Sequence, residues 1–256
     1  MSKKRWQEVR RIEDAEEPQQ FQPFQPQQPQ ESPQPKSFPV VSAKTPGQKR
    51  YIQAIQNNDI VLCSGPAGTG KTAIATGMGL QMLLDPQSGI KKLVIIRPAV
   101  EACGERLGAL PGTLAEKASP WAAPVIDNME VFSTRNQIKR LFNEKKIEII
   151  PVAYARGRSL AHSFVCIDEA QTTTPAMLLL LLTRIGEGSR MVVSGDLTQT
   201  EHSSLNGLSD AINRLSGMGR VGIVALNEDD IVRHDLIREI VRRYAKRSPS
   251  PGGLAL

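Results

Sequence analysis

The chain has 256 residues, 40% hydrophobic and 4% aromatic, with 32 Lys and Arg against 26 Asp and Glu and a formal charge of +6. That length supports one sizeable core and little more. No run of about 18 apolar residues marks a membrane span, the start Met1-Ser2-Lys3-Lys4-Arg5-Trp6 lacks the apolar core of a secretion signal, and Cys63, Cys103 and Cys166 are widely spaced, so a cytoplasmic location is expected.

Residues 1–44 read as a disordered arm. Gln19 to Gln30 is Pro and Gln apart from Phe21 and Phe24, and so little apolar content cannot offset the entropy of ordering. Docking of a protein partner on this arm is the alternative to plain disorder. Folded sequence is expected over 45–247, followed by a flexible tail at 248–256. It opens at Thr45-Pro46, a good N-cap and first helical residue, and a helix is predicted to about Asn58. On that helix, the Gln48 amide can donate and accept at once, which matches the N6/N7 edge of adenine. Tyr51, one turn on, is placed to stack on the same base.

Ile60 to Ser64 is a buried strand, and Gly65-Pro66-Ala67-Gly68-Thr69-Gly70-Lys71-Thr72 links it to a helix predicted over Thr72 to Leu84. A strand, a Gly-rich turn of spacing G-x-x-x-x-G-K-T and a helix wrap backbone N–H groups around phosphate. Lys71 is expected at the β- and γ-phosphates and the Thr72 hydroxyl on Mg²⁺. Lys92 to Arg97 is a second strand, stopped by Pro98. Residues 113–144 read as mostly helical, broken around Pro120 and Pro124. Ile147 to Ile150 is a short strand.

Phe164 to Asp168 is an apolar strand ending in two acids. Asp168 suits the metal, opposite Thr72, and Glu169 suits polarising a water for attack on the γ-phosphate. Pro175 opens an apolar helix to Leu182. Arg190 to Gly195 is a further strand, leading to Asp196-Leu197-Thr198-Gln199, where Gln199 is placed to sense the γ-phosphate or the attacking water. Val221 to Leu226 is the last strand. A final amphipathic helix is expected from about Glu228, with Val232, Leu236, Ile237, Ile240, Val241 and Tyr244 packing in the core. Strands alternating with helices predict an α/β fold, a mostly parallel sheet with helices on both faces, whose ligands sit at the carboxyl ends of the strands. His162, His202 and His234 show no metal-ligand spacing, so Mg²⁺ is the only metal expected.

The basic excess is uneven, since Ile231 to Arg247 holds six Lys or Arg against two acids. A solvated face is the simple reading of that helix. For contact with single-stranded RNA or DNA, Arg97, at a strand end before a proline, together with Arg106, Arg156 and Arg158, forms the candidate set. Such contacts are salt-sensitive and sequence-independent.

Thr45-Pro46-x-Gln48, the Gly65–Thr72 loop, Arg97-Pro98-Ala99-Val100-Glu101, Leu110-Pro111-Gly112, Gly157-Arg158-Ser159-Leu160, Asp168-Glu169-Ala170-Gln171, Leu182-Thr183-Arg184-Ile185-Gly186, Gly195-Asp196-x-x-Gln199 and Ile231-Val232-Arg233-His234 occur in the order found in PhoH-like proteins. The chain resembles that family over roughly residues 45–245. The resemblance implies a RecA-like P-loop ATPase domain similar to one motor domain of a superfamily 1 helicase, cytoplasmic and ATP-binding. Some relatives carry a fused toxin-type RNase domain, for which this chain is too short. Thr172 stands where the family commonly has Asn, and Thr200-Glu201-His202 is less apolar than the family's usual continuation.

A helicase of this class closes a cleft between two motor domains, and one is expected here. The missing arginine is therefore expected from a neighbour in a homo-oligomeric, hexameric ring, with Arg233 the leading candidate and Arg184, Arg156 and Arg158 the others. The functional expectation is an ATPase that binds or remodels single-stranded nucleic acid. The alternatives are a P-loop phosphotransferase and an ATP-dependent switch without motor activity.

Overall fold

The computed structural model describes residues 40–97, 114–198 and 206–232, together with Leu236, Glu239, Ile240 and Arg243. In chain order these form α1 (Pro46–Asn57), β1 (Ile60–Ser64), α2 (Lys71–Leu84), β2 (Lys92–Arg97), α3 (Leu114–Glu130), α4 (Arg135–Asn143), β3 (Ile147–Pro151), β4 (Ser163–Ile167), α5 (Pro175–Leu182), β5 (Arg190–Gly195), α6 (Gly207–Leu215) and β6 (Val221–Ala225). Short 3-10 turns at Val152–Ala155, Ala170–Thr172 and Glu228–Asp230 follow β3, β4 and β6.

The four central strands β1, β2, β4 and β5 are apolar on both faces, and this dictates the layers. Val61, Cys63, Leu93, Ile95, Phe164, Cys166 and Val192 pack with Tyr51 and Ile55 of α1, Met78 of α2, and Val125 and Met129 of α3. Their neighbours Leu62, Val94, Ile96, Val165, Ile167, Met191 and Val193 pack on the other side with Leu178 and Leu181 of α5 and Leu208 of α6. Alternate residues of a strand point to opposite faces, so an unbroken apolar run needs helices on both. Burying each such Leu, Ile or Val contributes about 1.5–3 kcal/mol.

The sheet order is β3-β2-β4-β5-β1-β6 and every pair is parallel. All carboxyl ends therefore lie along one edge. Strand β5 separates β1 from β4, with Ser64 beside Gly195 and Ile167 beside Val193. The residues that follow β1, β4 and β5 are neighbours for that reason. Side-chain oxygens cap four helix N-termini: Thr45 accepts from the N–H of Gln48, Thr134 from Gln137, Thr174 from Met177 and Asn206 from Ser209.

Three expectations change. Helix α3 runs through Pro120 and Pro124 without a break, and the interruption falls at Val131–Thr134. Ala122, Val125 and Met129 are buried on one stripe, and that packing outweighs the hydrogen bonds the prolines remove. Helix α6 went unread in the sequence, although Asn206 caps it and Leu208 and Ala211 anchor it. Finally, Leu236 and Ile240 are helical, but they are 57% and 42% exposed, so this part of the expected apolar face lies outside the core. Ile237, Val241 and Tyr244 lie outside the described residues. No helix among the described residues is long and apolar enough to cross a membrane.

Candidate functional site

The loop after β1 is shaped by its carbonyls. Gly68 and Gly70 have φ of 87° and 85°, a conformation costly for any other residue. The carbonyls of Gly65 and Pro66 accept from Lys71 Nζ at 2.6 and 2.9 Å. The Gly68 carbonyl accepts from the Val232 N–H at 3.1 Å, and the Thr69 carbonyl from Gln48 Nε2 at 3.0 Å. Helix α2 starts from Gly70 with no side-chain cap. Carbonyls held this way leave the N–H groups of the loop and of the first turn of α2 to an anion. Burial pushes the Lys71 ammonium below the usual lysine range, against the pull of Asp196, Glu169 and Asp168. An anion in the loop would relieve that cost.

The acids stand opposite. Asp168 is buried. Its Oδ1 accepts from Thr72 Oγ1 at 2.9 Å and Ser194 Oγ at 3.1 Å, and its Oδ2 lies 3.5 Å from Arg97 Nε. Burial raises its pKa, as does the charge of Glu169, while Arg97, Thr72 and Ser194 oppose. Glu169 takes the left-handed conformation, φ 56°, an unusual state for a non-glycine and one that clusters at functional sites. Its Oε2 accepts from Gln171 Nε2 at 2.7 Å, and its Oε1 lies 3.7 Å from Arg97 Nη2. The side-chain Oε1 of Gln171 in turn accepts from the Asp196 N–H at 3.1 Å. Gln171 thus ties the end of β4 to the end of β5. Thr172 donates its hydroxyl to the Glu169 carbonyl at 2.8 Å, so the departure from the family's usual Asn sits in the turn that holds Glu169.

Between loop and acids lies a cavity of about 360 Å³, lined by Gly68, Lys71, Thr72, Asp168, Glu169 and Asp196, with Asn128 of α3 and Val232 at its wall. A hydroxyl and a buried carboxylate 2.9 Å apart form an all-oxygen set. This suits a hard cation such as Mg²⁺, which takes one or two protein ligands and completes its shell with water and phosphate. Among the described residues no group of three or more His, Cys, Asp or Glu gathers as a metal site, so a cage built from protein alone is absent there.

A family model described as PhoH-like protein matches residues 40–245. The chain belongs to the PhoH-like family. It is 46% identical over 209 residues to a PhoH-like protein of Synechocystis, covering 81% of this chain and 63% of that one. Over 210 residues it is 41% identical to a PhoH-like protein of Bacillus subtilis, covering 81% and 65%. Protein PhoH of Escherichia coli is 34% identical over 209 residues, with 80% and 58% covered. The chain therefore spans less than two thirds of the length of these relatives. Among solved structures, the large terminase of bacteriophage HK97 superposes with a TM-score of 0.52 at 12% identity, covering 80% of this chain and 48% of that one. That likeness concerns the fold, a RecA-like P-loop core.

Within this PhoH-like domain, the structure brings Gly65 to Thr72, Asp168 and Glu169 together as the sequence predicts. Gln48 is corrected. It is 3% exposed, its Nε2 donates to the Thr69 carbonyl and its Oε1 accepts from the Lys44 N–H at 2.8 Å, so it braces the loop rather than presenting an edge to adenine. Tyr51 is fully buried in the core beside Cys63 and does not reach a base. Arg97 is corrected too, because it turns inward onto the acids instead of outward to a nucleic acid. Arg158 donates to Glu148 at 2.6 Å, and Lys92 meets the same carboxylate at 2.7 Å, which holds it on β3 away from Arg97. Arg184 folds back on the end of α5, bonding the Leu180 carbonyl and Thr183 Oγ1. Arg156 is exposed, two residues past the exposed Tyr154. Arg106, Gln199 and Arg233 lie outside the described residues.

Several contributors were missed in the sequence. Ser194 and Gln171 carried a signal, since both sit in the motifs that end β5 and β4. Asn128 carried none. Asp230 was hidden in an acidic turn. Its Oδ1 accepts from Thr45 Oγ1 at 2.5 Å and the Gly47 N–H at 3.1 Å, and its Oδ2 from the Asn227 N–H at 3.1 Å. A Cβ on Gly47 would collide with that carboxylate, so the close approach requires glycine. Asp230 thereby clamps the start of α1 to the segment whose Val232 holds the phosphate loop. Asp230→Ala is expected to destabilise the domain by about 1.5–3 kcal/mol, the usual worth of hydrogen bonds to a buried charge. Urea unfolding checks this, and a loss below about 0.5 kcal/mol would show that the clamp is not needed.

Proposed function

We propose that this chain is an ATP phosphohydrolase working as one subunit of a ring on single-stranded nucleic acid. The observation that carries the reading is the convergence on one cavity of an anion-ready loop, a cation-ready hydroxyl–carboxylate pair and a second carboxylate. Hydrolysis needs these three elements, whereas storing a nucleotide needs only the first. The terminal phosphates fit against the loop N–H groups and Lys71, whose ammonium exchanges the Gly65 and Pro66 carbonyls for phosphate oxygens. Mg²⁺, held through Thr72 and Asp168, supplies charge neutralisation for the phosphates. Glu169 accepts the proton of the attacking water, and Gln171 keeps the carboxylate aimed. The hydrogen-bonded path from Glu169 through Gln171 to Asp196 leads to the turn before Gln199, which supports a sensor role for that residue. With Gln48 committed to the loop, preference for adenine rests on the family resemblance.

Nucleic-acid contact is assigned to Arg156, with Tyr154 beside it as a stacking surface, and to Arg106. A ring, hexameric by the expectation above, supplies Arg233 of one subunit to the phosphates in the next.

Steady-state phosphate release tests the reading, with ATP and Mg²⁺, with and without single-stranded RNA or DNA. Turnover stimulated by the strand is the expected result. Tight ATP binding without turnover would replace the motor with a binding switch, and phosphate appearing on a small acceptor would replace it with a phosphotransferase. Lys71→Ala is the control. Mg-ATP at about a hundred times its Kd should stabilise the wild type by about 2.7 kcal/mol, visible as a rise in melting temperature. The variant should show no rise.

A further inference from the structure

Arg97 ends β2, and its guanidinium meets both acids while the side chain is 17% exposed. Every carboxylate oxygen of the acid pair faces a partner. Asp168 Oδ1 has the two hydroxyls of Thr72 and Ser194, Glu169 Oε2 has the Gln171 amide, and Asp168 Oδ2 and Glu169 Oε1 have Arg97. Hydroxyls and amides donate hydrogen bonds but bring no net charge, so the positive charge in direct contact with the pair is that of Arg97, while Lys71 acts on it across the cavity. Lys71, the cation among the described residues lining the cavity, donates to the loop carbonyls. Two adjacent carboxylates at the wall of a phosphate-binding cavity repel a polyphosphate as well as each other. At separations of several ångström and an intermediate effective dielectric, that repulsion weakens binding by roughly ten- to a hundredfold.

We propose that Arg97 is a positioning residue that stands in for the divalent cation at the acid pair. With the metal absent it neutralises Asp168 and Glu169, holds them in their working orientation, and lets nucleoside di- or triphosphate reach the loop. The role rests on the ATPase reading of the same site. It differs from a nucleic-acid contact, which acts at the surface, and from a packing role, which ignores the metal.

The test is binding of a fluorescent ADP analogue to the full chain, in EDTA and in Mg²⁺, for wild type, Arg97→Gln and Arg97→Lys. Arg97→Gln is expected to lose roughly tenfold or more in EDTA and less than about threefold in Mg²⁺, because the metal restores the missing charge. Arg97→Lys, which keeps the charge, is expected to stay within about threefold of wild type in both. An equal loss in EDTA and Mg²⁺ would make Arg97 a structural residue and overturn the inference. No loss in either, or no measurable binding of the wild type in EDTA, overturns it as well. Should Arg97→Gln fail to fold, Arg97→Lys decides alone, and a tenfold drop confined to EDTA counts against the idea. Wild type that binds no nucleotide in Mg²⁺ sinks the ATPase reading itself, a result distinct from all of these.

Discussion

Glu169→Gln is expected to lower ATP hydrolysis by roughly 10²–10⁴-fold, the usual contribution of a positioned general base. Binding of Mg-ATP should remain within about threefold of wild type, because the lost interaction serves the attacking water rather than the bound nucleotide. The substitution keeps the side chain's size and can still accept from Gln171 Nε2 through its amide oxygen. It gives up the proton acceptor and the charge facing Arg97. Asp168→Asn provides the contrast. It removes the charge that Thr72 and Ser194 orient toward the metal position, so it should impair binding of the Mg²⁺ complex as well as turnover. Phosphate-release rates and nucleotide titrations on the two variants separate the roles. If Glu169→Gln retained a tenth or more of the wild-type rate, about 1.4 kcal/mol or less of barrier, another group would have to be the base.

Much of this was legible in the sequence because local pattern and global fold agree. Buried parallel strands must be apolar on both faces, so Leu93 to Ile96 and Phe164 to Ile167 announced themselves as continuous runs. The phosphate loop was legible because its glycines, Lys71 and Thr72 are fixed in spacing by the shape of a phosphate group. The direction of long polar side chains was not legible. Arg97 and Gln48 lie on elements read correctly, Arg158 lies in a loop and Asp230 in a 3-10 turn, and what each one meets lies on another segment of the chain: Asp168, Thr69, Glu148 and Thr45 respectively. Spacing along one chain carries no record of such partners. The prolines of α3 show the same limit in the backbone. Local chemistry predicted breaks at Pro120 and Pro124, and burial of Val125 and Met129 decided otherwise.

The second large effect concerns Arg233. Val232 donates its N–H to the Gly68 carbonyl and lines the cavity, so Arg233 follows a residue already in contact with the phosphate loop of its own subunit. The trans assignment therefore has a concrete rival, an arginine acting in cis, and the two make opposite predictions for mixed rings. An arginine that stabilises the charge of phosphoryl transfer is worth about 10³–10⁵ in rate, so Arg233→Ala alone should be nearly inactive, as should Lys71→Ala. Equal amounts of the two variants, allowed to exchange subunits, leave roughly a quarter of the head-to-tail interfaces with an intact Lys71 on one side and an intact Arg233 on the other. Under the trans assignment the mixture should regain activity in about that proportion, far above either parent. Under a cis arrangement every subunit carries its own defect and the mixture stays inactive. Tagged wild-type subunits recovered in complexes with untagged ones establish that exchange occurs, so continued silence of the mixture would return Arg233 to its own subunit. Full activity of Arg233→Ala by itself would remove the residue from the site altogether.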